Sequence, residues 1–230
     1  MNRFTYMSGN PDLKPETIHD LTLSGSYKWL QFMISYQREK DAILYITEQY
    51  EKNPAITTVT HRNFNRIDNF SAFLTASPAV GSWHPQLTVG VQKQWAKIEH
   101  NGETLQMDTP LFFCTLNNGI QLPYHWTLST DINFQSKGDY QNIYMYQNVF
   151  MMNATLTKSF LNEHLSIHLQ GIDLTHGRKD GNRIYNKHMN MDVANVSDSR
   201  ELRFTIRYKF NTAKSKYKGK GAATEEIKRL

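Results

Sequence analysis

Hydrophobic and polar residues alternate one by one along most of this 230-residue chain, and the alternation recurs in nine segments. The clearest runs from Trp126 to Ser136. Trp126, Leu128, Ile132 and Phe134 share one parity there, while Thr127, Ser129, Asp131, Asn133 and Gln135 share the other. Leu202 to Asn211 sets Leu202, Phe204, Ile206, Tyr208 and Phe210 against Arg203, Thr205, Arg207 and Lys209. His164 to Gly171 sets Leu165, Ile167 and Leu169 against His164, Ser166, His168 and Gln170. The remaining segments carry Leu21, Leu23 and Tyr27; Phe32, Ile34 and Tyr36; Phe70, Ala72 and Leu74; Leu87, Val89 and Val91; Phe112, Cys114, Leu116, Ile120 and Leu122; and Phe150, Met152 and Leu156. Successive side chains of a strand point to opposite faces. Each segment therefore predicts a β-strand with one apolar and one polar face.

Such strands build sandwiches as well as barrels, and the connections separate the two. Short links fall at Trp29-Leu30-Gln31, Ala79 to His84, Pro123-Tyr124-His125 and Leu161-Asn162-Glu163. Long links run from about Ile46 to His61, Ala96 to Thr109, Lys137 to Gln147 and Thr175 to Ser199. Short and long alternate strictly, which predicts an antiparallel up-and-down transmembrane β-barrel with short periplasmic turns and long extracellular loops. Trp29, Trp83 and Trp126 lie beside short links, where an aromatic girdle belongs. A strand of ~10 residues tilted by ~40° also spans the ~25 Å apolar band. Asn101-Gly102 and Asp180-Gly181 are hairpin signals, so two of the long links are expected to project as β-hairpins.

In that arrangement Leu128, Ile132, Phe134, Phe204 and Ile206 face lipid. Asp131, Asn133, Gln135, His168, Arg203 and Arg207 face the lumen. Nine strands are an odd number, and an open sheet in lipid leaves two unpaired edges whose backbone groups each cost several kcal/mol. The strands are therefore expected to need partners from further chain. No apolar signal-peptide core follows Met1-Asn2-Arg3, which agrees with a piece of a longer protein.

Composition sharpens this reading. The chain is 39% apolar and 12% aromatic, which argues against disorder. Its mean hydropathy is −0.59, and no run approaches the ~18 apolar residues of a transmembrane helix. The single cysteine, Cys114, forbids an internal disulfide and reads as a small apolar strand residue. Of the net charge of +5, the segment from Thr212 to Leu230 holds +4, from six Lys/Arg against two Glu. The body carries only +1, so a nucleic-acid partner is not expected.

Gly9-Asn10-Pro11-Asp12-Leu13-Lys14-Pro15-Glu16, followed by an alternating strand, resembles a segment of TonB-dependent receptors, which are outer-membrane β-barrel proteins. Lys158-Ser159-Phe160-Leu161 and Gly171-Ile172-Asp173-Leu174 resemble the surroundings of that family's last periplasmic turn. Tyr208-Lys209-Phe210 resembles the closing signal read by the barrel-assembly machinery. The resemblance covers Gly9 to Phe210. It implies an all-β fold forming the last nine strands of a barrel of about 22. It also implies an N-terminal plug, coupling to the TonB complex, and uptake of a large nutrient such as a siderophore, cobalamin or glycan. Residues 1–16 would then be an extracellular segment, 17–211 barrel, and 212–230 a mobile basic periplasmic tail. That tail departs from receptors that end at the terminal Phe, and it leaves the substrate open.

Candidate chemistry is sparse. His164 and His168 lie roughly 13 Å apart along one strand face, too far to share an ion. Neither a Gly-x-Ser-x-Gly nor a His-Glu-x-x-His motif occurs. No catalysis, metal or cofactor is expected. Binding groups concentrate in the long links: Arg178, Arg183, Tyr185 and His188 between Thr175 and Ser199, and Tyr50 in the first. Arginine forks suit carboxylates, and tyrosine rings suit stacking on sugars. Tyr45 and Tyr146, beside strands, read as girdle residues. A soluble all-β glycan-binding module is the alternative, distinguished by purification without detergent.

Overall fold

The computed structural model describes residues 5–50, 53–100, 102–186, 190–196 and 198–210. In chain order the strands are β1 (Thr5–Met7), β2 (Thr17–Tyr27), β3 (Leu30–Tyr50), β4 (Asn53–Ala76), β5 (Trp83–His100), β6 (Glu103–Met107), β7 (Leu111–Leu122) and β8 (Trp126–Gln135). They continue as β9 (Gly138–Tyr140), β10 (Ile143–Met145), β11 (Val149–Phe160), β12 (Leu165–Ile172), β13 (Lys179–Tyr185), β14 (Asn190–Val196) and β15 (Glu201–Tyr208). The main sheet follows the path β2-β3-β4-β5-β7-β8-β11-β12-β15, each strand antiparallel to the next. Each of the nine alternating segments falls in one strand of this path. β1 and β6 attach at the side, and β14-β13-β10-β9 form a second sheet.

Strand register turns local alternation into a surface. One apolar row runs Leu23, Ile34, Ala72, Val91, Phe112 across five strands. Another runs Ile120, Leu128, Leu156, Leu169, Phe204 across the rest. This face stays open: Leu21 is 74% exposed and Leu202 76%, and Phe204 and Ile206 are exposed with them. A continuous apolar patch of this extent is not tolerated in water and requires a nonpolar surround. Even its polar exceptions are paired. The Asn118 amide donates to Thr130 Oγ1 at 2.9 Å, and the Trp83 indole donates to Asn118 Oδ1 at 3.1 Å.

The opposite face is knitted by hydroxyls and amides. Ser35 and Ser71 lie 2.8 Å apart, Thr75 and Thr88 2.9 Å, and Thr115 donates to Asn133 at 3.2 Å. Simple alternation hides large apolar residues on this face: Phe73 and Phe113 share its parity, with ring centroids 6.1 Å apart. Gly90 makes room for them. A Cβ there would come within 2.2 Å of the Phe73 ring.

The long links differ from the loops expected. Ile46 to His61 is mostly strand, because the β3–β4 ladder continues with few interruptions from Leu30↔Ala76 to Gln49↔Thr57. Ala96 to Thr109 is the β5–β6 hairpin, with Gly102 at φ 81° beside the predicted Asn101-Gly102 turn. Asp180-Gly181, by contrast, is no turn. It lies within β13, opposite Asn195 and Ala194, and the hairpin closes farther along, between Tyr185 and Asn190. Gly181 is required there by packing: a Cβ would meet the Tyr146 ring at 2.6 Å. The first short turn is also displaced, to Lys28 and Trp29, with Lys28 at φ 53°. The predicted tail, 212–230, lies outside the described residues.

The core is at the long-link end. Ala42, Leu44, Ile67, Ala96, Ile98 and Met107 are all 4% exposed or less and form one cluster, flanked by Phe64, Leu105, Tyr144 and Tyr185. Ile67 and Ala96 are register partners and continue the polar parity of β4 and β5. Ala42 and Leu44 have the same numerical parity as Phe32, Ile34 and Tyr36 on the apolar face, yet they join this cluster. Asp41 lies between the two sets with φ 54°. A left-handed residue within a strand disrupts the alternation, so above Asp41 β3 turns its apolar residues to the other side. Asn63 fixes the bend by donating to the Asp41 carbonyl at 2.7 Å.

Candidate functional site

Above the strand ladder, the second sheet packs over the polar side of extended β3, β4 and β5. Three buried amides pin it there. Gln94 Nε2 donates to the Gln141 carbonyl at 2.8 Å while its Oε1 accepts from the Gln141 N–H at 2.6 Å. Asn142 Nδ2 donates to the carbonyls of Tyr45 and Tyr185 at 2.8 and 3.2 Å. Asn186 Oδ1 accepts from the Thr47 N–H at 2.8 Å, and its Nδ2 donates to the Thr47 hydroxyl. Gln94 ties β5 to the turn between β9 and β10, and Asn142 and Asn186 both tie the second sheet to β3, so the lobe is a cross-linked unit. Asp139 adds a fourth tie, accepting from the Thr109 N–H at 2.8 Å. Burial raises its carboxyl above the usual range despite that bond.

The candidate binding residues fare differently from one another. Arg183 is engaged within its own hairpin, its Nε and Nη2 donating to the two Asp192 oxygens at 2.6 and 2.9 Å. That fork raises the guanidinium pKa and lowers that of Asp192. Tyr185 packs against the core, edge-on to His100 with centroids 5.6 Å apart. Tyr50 meets Tyr6 edge-on at 5.8 Å. Arg178 is exposed, and His188 lies outside the described residues. Tyr45, assigned to a girdle, lies beside His61 at 4.1 Å, and Tyr146 covers Gly181.

On the wall below, Asp131, Asn133 and Gln135 share the polar parity of β8, and His168, Arg203 and Arg207 share it on β12 and β15. His168 lies 3.0 Å from Thr157 Oγ1 and 2.9 Å from Ser166 Oγ, which occupies both ring nitrogens. Gln135 donates to Met145 Sδ at 2.8 Å, tying wall to lobe. Arg203 forks onto Glu201 at 2.9 and 3.0 Å. Leu128, Ile132, Phe134, Phe204 and Ile206 lie on the opposite, apolar parity.

Two features escape a sequence reading. The first is a polar cleft of about 440 Å³ lined by Gly9, Asn10, Pro11, Asp12, Glu48, Thr60, Arg62 and Asn63. Asn10 shapes it locally: its Oδ1 accepts from the Asp12 N–H at 3.0 Å, and its Nδ2 donates to the His61 carbonyl at 2.9 Å. Asn63 holds the other wall by accepting from the Lys14 N–H at 2.8 Å and donating to the Lys14 carbonyl at 2.9 Å. The Gly-Asn-Pro motif was the visible signal for this cleft. Its partner Asn63 gave none, because pairing across 49 residues is set by register.

The second is Asp173, 2% exposed, at the start of the β12–β13 link. Burial pushes its carboxyl up, but the Ser199 hydroxyl, the Gly177 and Arg178 N–H groups and the Thr175 hydroxyl outweigh this and hold it below the usual range. A depressed carboxyl stabilises the closed turn above its unfolded pKa of ~3.9 and ceases to do so as pH falls through the lower folded value. Hydrogen exchange at the Gly177 and Arg178 amides should therefore stay slow down to about pH 4. Asp173→Asn should lose that protection at every pH. Wild-type protection lost already at about pH 6 would contradict the carboxylate assignment.

Residues 1–208 match the outer membrane protein beta-barrel family. Among solved structures, the outer membrane transporter YddB from Escherichia coli is similar over 88% of this chain and 33% of that one, at 11% identity and a TM-score of 0.47. The chain thus spans about a third of that transporter's length. No curated protein matches it. The soluble glycan-binding alternative is set aside by the family match, which spans nearly the whole sheet. An antiparallel sheet with one continuous exposed apolar face, matched along its length, identifies the chain as a member of the outer membrane protein beta-barrel family, located in the outer membrane.

Proposed function

We propose that this chain is the C-terminal barrel portion of a TonB-dependent receptor that imports a large nutrient, a siderophore, cobalamin or a glycan, and that it catalyses no reaction. The observation that carries the reading is the packed lobe over the polar face at the long-link end. A rigid lobe above a polar wall presents binding groups with little ordering cost at a channel mouth. The open edges of β2 and β15, each with backbone groups that lipid cannot satisfy, support further strands completing a barrel. The polar wall through Asp131, Asn133 and Arg207 would face a plug and the substrate path. Short turns would then be periplasmic and the lobe extracellular, with the barrel-assembly machinery reading Tyr208-Lys209-Phe210.

Within the lobe, exposed Arg178 and half-buried Tyr50 are the groups offered to ligand, whereas Tyr185 supports them from the core. Cutting out the β13 hairpin would remove that support, so point substitutions make the cleaner test. Arg178→Ala with Tyr50→Ala should weaken uptake by the full receptor about tenfold or more, the worth of one charged hydrogen bond and a ring contact. Surface display should be unchanged. Normal uptake by the double variant would remove these residues from the binding role.

A further inference from the structure

The outward face carries a feature that the uptake reading does not use. Directly above the apolar band, three register rows of β2 to β5 change character together. The first is Leu21, Tyr36, Phe70 and Lys93; the second is His19, Arg38, Asp68 and Trp95. In the third, Thr17 and Lys40 lead to Arg66, and Lys97 lies one pleat above Trp95 on β5. Arg38, Lys40, Arg66, Lys93 and Lys97 therefore crowd one side of the wall. They point away from the core, as the alternation on β5 shows: Gln94, Ala96 and Ile98 are buried, while Trp95 and Lys97 are exposed. Among the described residues of β4, β5 and the cleft beside them, Asp68, Asp108 and, one pleat farther out, Glu99 are anions on this side.

Asp68 does not cancel the cluster so much as build it. It is 6% exposed and holds Arg38 Nε at 2.7 Å and Arg66 Nε at 2.9 Å. The Tyr36 hydroxyl donates to it at 2.8 Å, and Arg38 Nη2 donates to Tyr36 at 2.9 Å. The two guanidinium groups are thereby fixed through one side, with their side chains still 47% and 58% exposed. Lys93 extends over the Trp95 ring, its Nζ 5.4 Å from the centroid, within the ~6 Å reach of a cation–π contact. Beside them opens a cleft of about 450 Å³ lined by Asn65, Arg66, Trp95, Ala96, Lys97, Gln106 and Asp108.

From this arrangement we infer that the outward rim of β3, β4 and β5 is a docking site for a phosphorylated glycolipid of the outer leaflet. Preset guanidinium groups and lysines suit phosphate oxygens, the indole and amide-lined cleft suits a sugar, and the apolar rows beneath suit acyl chains. The opposite end is unlike it. Lys28 and Lys158 there lie over their own aromatic neighbours, Tyr27 and Trp126, and the cleft beside Lys158, lined by His125, Ser159, Phe160, Leu161, Asn162 and Glu163, has no arginine or lysine in its lining. The inference rests on the orientation proposed above, with the lobe outside.

Lys40→Gln, Lys93→Gln and Lys97→Gln in one full-length receptor remove three cations and leave the Arg38–Asp68–Arg66 lattice intact. Native mass spectrometry in detergent, with bisphosphorylated lipid A and its dephosphorylated form as probes, reads the effect. Wild type should retain lipid A roughly tenfold or more better than the variant does, since each lysine near an anionic headgroup contributes appreciably. Dephosphorylated lipid should bind both proteins alike. Equal retention of lipid A by the two proteins overturns the site, as does equal wild-type retention of both lipids. An epitope inserted at Gly102 and probed on intact cells tests orientation separately. Surface labelling keeps the lobe outside, and its absence overturns the orientation and the site with it.

Discussion

Ile132→Arg is expected to cost ~2–4 kcal/mol of folding into lipid vesicles, while Asn133→Arg, one residue along the same strand, is expected to be mild. Ile132 is flanked in register by Leu116 and Met152, both on the apolar face, so an arginine there meets hydrocarbon on every side. Asn133 is flanked by Thr115 and Met151 on the polar face, where Thr115 donates to it at 3.2 Å. An arginine at that position loses one hydrogen bond and keeps access to water. The measurement is equilibrium unfolding of the vesicle-inserted receptor. Equal tolerance at the two positions would contradict the assignment of the apolar face to lipid.

A second large effect is expected far from the bilayer. Leu44→Ala should cost ~2–5 kcal/mol, because Leu44 is 2% exposed within the lobe core and its neighbours are held by strands that cannot collapse inward. The loss should be local. Hydrogen exchange should accelerate in β10 and β13, whose Tyr144 and Tyr185 pack on that core, while β7, β8 and β11 keep their protection. A loop-like outer region would instead show fast exchange in the wild type and no response to the substitution. If the lobe does present the ligand-binding groups, nutrient uptake should fall along with its rigidity.

The membrane-facing half of this protein is legible in its sequence because the reason for each residue is local. A strand puts alternate side chains on opposite faces, so Leu128, Ile132 and Phe134 declare one side and Asp131 and Asn133 the other without reference to any other strand. Short turns such as Pro123-Tyr124-His125 are equally local. The outer half is decided by tertiary structure. Ile46 to His61 looked like a loop because its residues mix polar and apolar without a clean period, and only pairing between β3 and β4 makes it strand. Asp180-Gly181 has the chemistry of a turn, but β14 pairs alongside it and Tyr146 needs the space over Gly181. Asp41 inverts the facing of β3, so parity counted along the sequence assigns Ala42 and Leu44 to the wrong side. The settings of Tyr185 and Arg183 are likewise tertiary: an aromatic ring or a guanidinium in a variable segment is equally suited to ligand or to its own fold, and the contacts around these two come from residues distant in the sequence of each, the core cluster with Ala96 and Ile98 for Tyr185 and Asp192 across the hairpin for Arg183.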